Sequence, residues 1–374
     1  MGTLIKSDVI STRNLGSLLE RTIPKENLSG FFDFGNNKYS IRGNPVALGD
    51  FLSLTRNSAA QGLNKNKELI TYGVGAPRFH LVESVSKYGL ALGDNMKNYF
   101  LNSNAPATQD ITFAEGTDRR FFLLVRVIGT GSVAISGAGV TPFTVNGGEE
   151  KVIKMTSGTN TITVTKSGSP TYVQVSRVTT PYGIDPTRTE TAGVPATKSQ
   201  DVASLNPSVN AQMFTGNKAT FFFKFVTFDG GDNSLIPHTN NTVEIVSGAG
   251  TPALGGYVAW LKYTDGTHGK LFARKQQSGA VLEESPTVDV PINKINIVAI
   301  RLSAGKADVF MNGVFSKMAG TTASTLVEPY LYRLPFLQSL TNVYISPNMI
   351  ITNMVAYDKE MSDSEITDIY NRLK

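Results

Sequence analysis

Short apolar runs separated by polar, glycine-rich breaks fill residues 105–180. Ile162 and Val164 alternate there with threonines, which is the period of a strand with one buried face. About six such runs follow one another at the spacing typical of antiparallel sandwiches. The pattern therefore predicts a small antiparallel β-sandwich over residues 105–180.

A second group of apolar runs occupies residues 212–374. ATFFFKFVTF is apolar almost without interruption, as expected of a central strand that is covered on both faces. Asn312-Gly313 lies between two apolar runs and is the strongest short-range signal for a β-hairpin. These runs predict a second β domain over residues 212–374.

The two ends of the chain carry helical signals. Ser362 and Glu365 form a capping box ahead of a short helix with Ile366, Ile369 and Tyr370 on one face. At the other end, leucines 15, 18 and 19 recur at helical spacing and predict an arm, residues 1–30, with one short helix. This arm is either an ordinary N-terminal extension or an anchor that docks on a partner.

The remaining segments lack a long periodic element. Residues 31–104 combine turn signals with short apolar pieces, which predicts a compact, irregular module. Residues 181–211 are rich in Pro, Thr and Gly, and we predict that they form an extended or irregular linker. The fold class predicted from the pattern is mainly β.

Composition excludes several classes of protein. A chain of 374 residues is long enough for two or three domains, and the absence of cysteine excludes disulfides and thiolate metal sites. The net charge of +5 comes from scattered Lys and Arg residues, so we expect no nucleic-acid partner. No apolar run reaches the ~18 residues of a membrane span, so no membrane insertion is expected. MGTLIKSDVI lacks the pattern of a signal peptide, which predicts a protein made in a cytoplasm without an export address.

The C-terminal domain resembles the laminin-G-like, or concanavalin-A-like, jelly roll. INIVAIRLSAGKADVFMNGVFSK supplies a strand and the Asn-Gly hairpin, and NMVAYDKEMSDSEITDIYNRL supplies a last strand and a terminal helix, in the order and spacing of that family. The resemblance covers about 160 residues. It implies that residues 212–374 form a jelly-roll β-sandwich with a short C-terminal helix.

Three short segments resemble a module found in structural proteins of bacteriophages. They are Thr55-Arg56-Asn57-Ser58, Pro77-Arg78-Phe79 and Gly89-Leu90-Ala91-Leu92, followed by NYFLNSNAP. In that family an acidic residue follows the Gly-Leu strand, whereas this chain has Gly93-Asp94. The resemblance implies a virion protein that is assembled in the host cytoplasm, with other virion proteins as partners and a homotrimer by analogy. The arm and the module at 31–104 would then provide the attachment.

Two loops of the second β domain could bind ligands. Asp229, Asp232 and Asn233 place hard oxygen ligands in a glycine-rich loop that could bind Ca²⁺, although Asp-Gly is also ordinary turn chemistry. No other cofactor is predicted.

The second loop offers a candidate glycan contact at Tyr263, Asp265 and His268, because sugars stack on exposed aromatic faces beside polar groups. For Trp260, the only tryptophan, burial in the core is favoured over a glycan contact.

The sequence contains no recognisable catalytic arrangement. Its three histidines stand outside known nucleophile motifs, and Glu283 and Glu284 are adjacent on a predicted strand, so they cannot both line one cleft. GTGSVA, starting at Gly129, matches part of a dinucleotide fingerprint, but alternating β-type residues follow where a helix is needed.

We therefore predict a non-enzymatic structural virion protein, a tail-fibre, collar or capsid-decoration component, with lectin-like sandwiches that bind host surface polysaccharide. The alternative is a tail-associated polysaccharide depolymerase, and release of reducing sugar distinguishes the two.

Overall fold

The computed structural model describes most of the chain. The described residues are 19, 22–93, 96–113, 122–156, 160–178, 188–199, 201–215, 218–227, 242–249, 256–263, 268–277, 280–303, 306–320, 331–333 and 349–374. The strands, in chain order, are β1 (Leu28–Asp33), β2 (Lys38–Ile41), β3 (Asn44–Pro45), β4 (Leu52–Thr55), β5 (Ala60–Leu63), β6 (Leu69–Tyr72), β7 (Phe79–Val82), β8 (Lys87–Leu92), β9 (Met96–Asn98), β10 (Gln109–Phe113), β11 (Phe122–Gly137), β12 (Phe143–Asn146), β13 (Glu150–Lys154), β14 (Asn160–Val178), β15 (Ala196–Lys198), β16 (Val202–Leu205), β17 (Ala219–Thr227), β18 (Thr242–Ala249), β19 (Gly256–Tyr263), β20 (His268–Gln277), β21 (Ala280–Glu284), β22 (Val288–Pro291), β23 (Ile295–Ser303), β24 (Lys306–Met311), β25 (Val314–Lys317), β26 (Leu331–Arg333) and β27 (Met349–Tyr357).

The helices are short and few in the described part of the chain. They are α1 (Leu48–Phe51), α2 (Pro207–Met213), α3 (Asp363–Leu373) and a 3-10 turn at Glu83–Val85. Antiparallel strands account for most of the rest, which confirms the predicted β class. Within the described ranges, no helix combines the length and the apolar character that a membrane crossing needs.

A ten-stranded sheet forms the framework of the molecule. Its main order is β25-β24-β23-β17-β27-β1-β2-β3, and β8 pairs with both β27 and β7. All nine residues of β17 are buried between β23 and β27, which confirms ATFFFKFVTF as a central strand. Met311 pairs with Val314 across Asn312 and Gly313, both of which have positive φ, so the predicted hairpin is confirmed.

A six-stranded sheet covers one face of this framework. Its order is β21-β20-β19-β18-β26, with β22 paired to β20. Leu271 and Val290 from this sheet share one buried apolar cluster with Phe221, Phe223 and Ile300 from the ten-stranded sheet. The two sheets therefore form a β-sandwich, as the resemblance to jelly rolls implied.

Helix α3 covers the opposite face of the ten-stranded sheet and is held at both ends. Ser362 and Glu365 form the predicted capping box, and Ile366, Ile369 and Tyr370 are buried against the sheet. Asp363 at the first turn accepts a hydrogen bond of 2.8 Å from Arg301 Nη1. At the last turn, Nζ of the buried Lys224 donates to the carbonyl oxygen of Leu373, where a cation is favoured by the helix dipole.

The N-terminal part of the chain belongs to this same framework. Strand β1 pairs with β27 from Leu28↔Tyr357 to Asp33↔Asn353, and β8 continues the pairing at residues 349–351. The boundary predicted between an arm ending at residue 30 and a module starting at 31 therefore falls inside β1. Ile23, within the predicted arm, is 2% exposed and packs in the cluster that contains α3. Leu15 and Leu18 lie outside the described residues.

The predicted sandwich at 105–180 is built around two long strands. β11 and β14 pair over 16 registered positions, and β10, β12 and β13 pair with one or other of them. Together with β9 and β15, these five strands form one seven-stranded sheet. A separate apolar cluster, which includes Leu123, Val133, Ile162 and Val173, fills its interior. GTGSVA lies within β11, so no helix follows Gly129, and the strand interpretation of this segment is confirmed.

The segment predicted as a linker contributes regular structure. In residues 181–211, β15 pairs with β9, β16 pairs with β4, and α2 begins at Pro207. Ala203 is fully buried in the main core, and Lys198 and Asp201 are buried as well. This segment is therefore packed where it is described, because its short strands find partners in residues 52–98, which local composition does not reveal.

Candidate functional site

The residues predicted to bind Ca²⁺ or glycan fall where the structure gives no side-chain positions. Asp229, Asp232, Asn233 and Asp265 lie outside the described residues. Tyr263 and His268 occupy facing ends of β19 and β20, where Tyr263 pairs with Gly269, but their side chains are outside the described set. Among the residues that the structure does describe, no group of three or more His, Asp or Glu side chains is placed to hold a metal ion.

Three segments singled out by the sequence analysis, residues 55–58, 77–79 and 89–92, lie around one buried carboxylate, Asp201. We call them the phage-like segments. Arg56 Nη1 lies 2.8 Å from Asp201 Oδ1, and Arg78 Nη2 lies 2.7 Å from Oδ2. Lys198 Nζ lies 3.4 Å from the same Oδ2. All four side chains are essentially excluded from solvent, with at most 1% of each exposed.

Backbone contacts join the third segment to the same cluster. The amide of Gly93, directly after Gly89-Leu90-Ala91-Leu92, donates to Asp201 Oδ2 at 3.0 Å. The Asp201 amide returns a hydrogen bond of 2.9 Å to the Gly93 carbonyl, and Ala91 N–H donates to the Arg78 carbonyl. Asp201 thus places a carboxylate beside Gly93, directly after the third segment.

The Asp201 cluster has a structural role in the described fold. Arg56 also donates to the carbonyl oxygens of Ser58 and Gly73, at 2.8 and 2.7 Å. Ser199 N–H donates to Ser58 Oγ at 2.7 Å. Buried charges require partners. These contacts therefore hold Lys198, Ser199 and Asp201 against the turns around residues 56–93.

A cleft of about 390 Å³ opens between the module and the seven-stranded sheet, and we name it the module–sandwich cleft. One wall consists of Leu63, Leu69 and residues 80–84, and the other of residues 126–128, 148–150 and Arg188. Its volume lies at the lower end of the range of small-molecule sites. The cleft is therefore large enough for a compact ligand.

Charged side chains of the cleft are mostly held by neighbours. Arg126, 9% exposed, donates from Nε to Glu150 Oε2 at 2.6 Å. Glu149 accepts from the backbone N–H of Asn146 at 3.0 Å and from its side-chain amide at 3.1 Å, and these bonds lower the pKa of the Glu149 carboxyl. Glu83 lies 3.1 Å from Lys67 Nζ.

His80 lies at the base of one wall and is fixed by packing. It is 2% exposed, and its Nδ1 accepts the backbone N–H of Leu63 at 3.0 Å. A ring that accepts at Nδ1 is the neutral tautomer with its proton on Nε2. His80 therefore has a packing and hydrogen-bonding role in the described fold.

Sequence patterns could not have identified the module–sandwich cleft. Its walls come from residues 63–84 and from residues 126–188. Neither stretch contains a sequence motif that predicts contact with the other. The positive φ of Gly129 and the close approach of Gly147 to it shape the turn that bears Glu149 and Glu150. The repeated glycines of this region were the only signal available, and they predict a turn rather than a site.

Comparisons with known proteins give structural neighbours alone. No protein-family model and no curated protein matches the chain. Domain 4 of AbnA, a GH43 extracellular arabinanase from Geobacillus stearothermophilus solved with arabinotriose, is similar at a TM-score of 0.29 and 15% identity, over 46% of this chain and 72% of that one. The CBM40 of the Ruminococcus gnavus IT-sialidase, bound to α2,3 sialyllactose, gives a TM-score of 0.30 and 15% identity over 44% of this chain and 86% of its own. A mutant Trypanosoma rangeli sialidase gives a TM-score of 0.27 and 15% identity over 43% and 24%. At these TM-scores the likeness carries no information about what this chain binds.

Proposed function

We propose that this chain is a non-enzymatic structural component of a bacteriophage virion that binds host surface glycans. The observation that carries the proposal is the convergence of the three phage-like segments on Asp201. Residues scattered over positions 55–93 make one compact unit with this carboxylate, as expected if they descend together from one module rather than match by chance. Other virion proteins are the partners that the resemblance implies.

The glycan-binding part of the proposal rests on the module–sandwich cleft. Its walls combine apolar side chains such as Leu63 and Ile128 with donors and acceptors such as Arg188 and Glu149. Sugars need both kinds of contact, because their rings present apolar C–H faces and a rim of hydroxyl groups. The jelly-roll surface around Tyr263 and His268 remains a second proposed contact.

Mass spectrometry of purified virions tests the structural part. The phage that encodes this chain is grown, particles are banded by density, and peptides are counted relative to the major capsid protein. We expect peptides of this chain in the banded particles at a constant ratio across preparations. Peptides confined to the cell lysate and absent from the particles would overturn the virion role.

Binding and hydrolysis assays on the full chain test the adhesive part. We expect binding to host cells and to a subset of arrayed surface polysaccharides, without release of reducing sugar. Release of reducing sugar would favour the polysaccharide depolymerase instead. Repeating the binding with EDTA tests the proposed Ca²⁺ loop, since loss of binding on chelation requires a metal.

A further inference from the structure

Arg188 stands apart from the other charged residues of the module–sandwich cleft. Its side chain is half-buried, and its guanidinium lies 5.3 Å from the centroid of the Tyr172 ring. Tyr172 is 2% exposed, and its hydroxyl lies 2.7 Å from Gln174 Oε1 and 3.2 Å from the Thr189 carbonyl. The aromatic ring is therefore held rigidly and presents Arg188 to the cleft.

No carboxylate within the described residues pairs with Arg188. The nearby Glu190 favours the charged form of Arg188 through space without forming an ion pair with it, and its Oε1 accepts a hydrogen bond of 2.6 Å from Gln61 Nε2. The cleft's other arginine, Arg126, is neutralised by Glu150. Burial, reinforced by repulsion from Arg126, lowers the pKa of the Arg188 guanidinium, and the electrostatic effects of Tyr172 and Glu190 only partly oppose this shift.

The carboxylates that line the cleft are hydrogen-bonded to groups other than Arg188, so none of them is an ion-pair partner of its guanidinium. Glu83 pairs with Lys67, Glu150 with Arg126, and Glu149 is held by Asn146. A half-buried cation without a partner costs free energy of desolvation, which an anionic ligand would recover. The planar guanidinium, which lies over the Tyr172 ring, matches the geometry of a carboxylate in a two-point hydrogen bond.

We propose that the module–sandwich cleft binds a sugar unit that bears a carboxylate, with Arg188 donating to that carboxylate. The inference rests on the proposed glycan-binding function and specifies its ligand class. The apolar wall at Leu63, Leu69 and Ile128 takes the C–H face of the ring, while Ser84 and Glu149 bind its hydroxyl groups. The chemistry identifies hexuronic or nonulosonic acid units of a surface polysaccharide, because a neutral sugar offers Arg188 no carboxylate for an ion pair.

Titration of the full chain with paired oligosaccharides tests this assignment. Oligosaccharides that contain glucuronate, galacturonate or N-acetylneuraminate are each compared with their methyl esters, which keep the ring and remove the charge. We expect at least one acidic form to bind and its methyl ester to bind about tenfold to a hundredfold more weakly. Arg188→Gln is expected to weaken the acidic form to the level of the ester.

Two further variants separate recognition from folding. Arg188→Lys keeps the charge but not the planar fork, so we expect an intermediate affinity. Arg372→Gln removes an exposed arginine that pairs with Asp368 on α3, and we expect unchanged binding. Circular dichroism and the thermal midpoint of each variant verify the fold, and Arg188→Lys carries the test should Arg188→Gln unfold.

The outcomes distinguish this inference from the broader proposal. Binding of neutral glycans that Arg188→Gln leaves unchanged would overturn the carboxylate assignment and keep the glycan-binding function. Equal affinity for an acidic oligosaccharide and its methyl ester would also overturn the carboxylate assignment and keep the glycan-binding function. Failure of the unmodified chain to bind any arrayed glycan would overturn both.

Discussion

Asp201 is a buried carboxylate that three buried cations share. Its carboxylate contacts Arg56, Arg78 and Lys198. The side chains of these three residues are at most 1% exposed, so water cannot take the place of the carboxylate. Asp201→Asn keeps the shape of the side chain and removes the charge. We expect it to lower the free energy of unfolding by about 3–5 kcal/mol, because it removes a negative charge that three buried cations share.

Chemical denaturation of purified protein measures this loss, with Asp368→Asn as the matched control. Asp368 pairs with Arg372 one helical turn away, and its side chain is 52% exposed. Exposed pairs of this kind contribute about 0–1 kcal/mol, so the control should unfold near the parent's midpoint. Equal midpoints for the two variants would show that the Asp201 cluster is not needed for stability.

The residues around Asp201 also show which members of a buried cluster short sequence motifs can predict. Arg56 and Arg78 were both within segments that the phage resemblance singled out, so two members of the cluster could be predicted. Asp201 could not, since it lies 145 residues from Arg56 and 123 from Arg78, inside a stretch whose composition predicts a linker.

Among the elements, helix α3 should lose stability at low pH because its first turn depends on the charged Glu365 carboxylate. A hydrogen bond from Lys359 and another from the Ser362 backbone lower the pKa of the Glu365 carboxyl from its ordinary value of 4.5 to about 2. A lowered pKa means that folding favours the charged carboxylate. The stabilisation is therefore complete above about pH 4.5 and is lost as the pH falls through about 2.

The thermal midpoint as a function of pH tests this statement with Glu365→Gln. We expect the variant to melt below the parent at about pH 7 and at the same temperature as the parent at about pH 2. Glu26→Gln, an exposed substitution of the same type, controls for the loss of one negative charge. A gap between Glu365→Gln and the parent that does not change with pH would contradict the assignment.

The glycine turn beside the module–sandwich cleft is the element with the least room for change. A Cβ atom added at residue 147 would lie 1.9 Å from the carbonyl oxygen of Gly129. We expect Gly147→Ala to lower the free energy of unfolding by about 1–3 kcal/mol, because the backbone must move. Gly49→Ala in α1, where an added Cβ meets open space, should leave the unfolding midpoint at or slightly above the parent's in denaturant titrations.

Local signals predicted the elements whose geometry is local. The Asn312-Gly313 hairpin, the capping box at Ser362 and the buried strand β17 depend on residues that are adjacent in sequence, and all three were predicted. The pairing of β1 with β27 joins residues more than three hundred positions apart, and no short-range pattern encodes it. The same argument applies to the module–sandwich cleft, whose walls meet only after folding.

For the whole molecule, the ten-stranded sheet joins strands from the N-terminal and the C-terminal parts of the chain, which makes the two parts interdependent. β27 is hydrogen-bonded to β17 on one side and to β1 and β8 on the other, and Phe31 and Phe32 are buried at 1% and 0% exposure. A fragment of residues 212–374 would retain the jelly-roll resemblance but would lose β1 and β8. Its β27 would then present an unpaired, apolar edge, and such edges aggregate.

We therefore expect the fragment 212–374 to be insoluble or to unfold without cooperativity, whereas the full chain unfolds in a cooperative transition. Size-exclusion chromatography and circular dichroism of the fragment measure this directly. Co-expression with residues 1–211 is the control, since it should recover soluble material through strands β1, β2 and β8. A monomeric, cooperatively folded fragment would show that the jelly roll is an independent domain. The N-terminal strands would then not be needed for its folding. In that case the boundary belongs near residue 212, where composition alone predicts it.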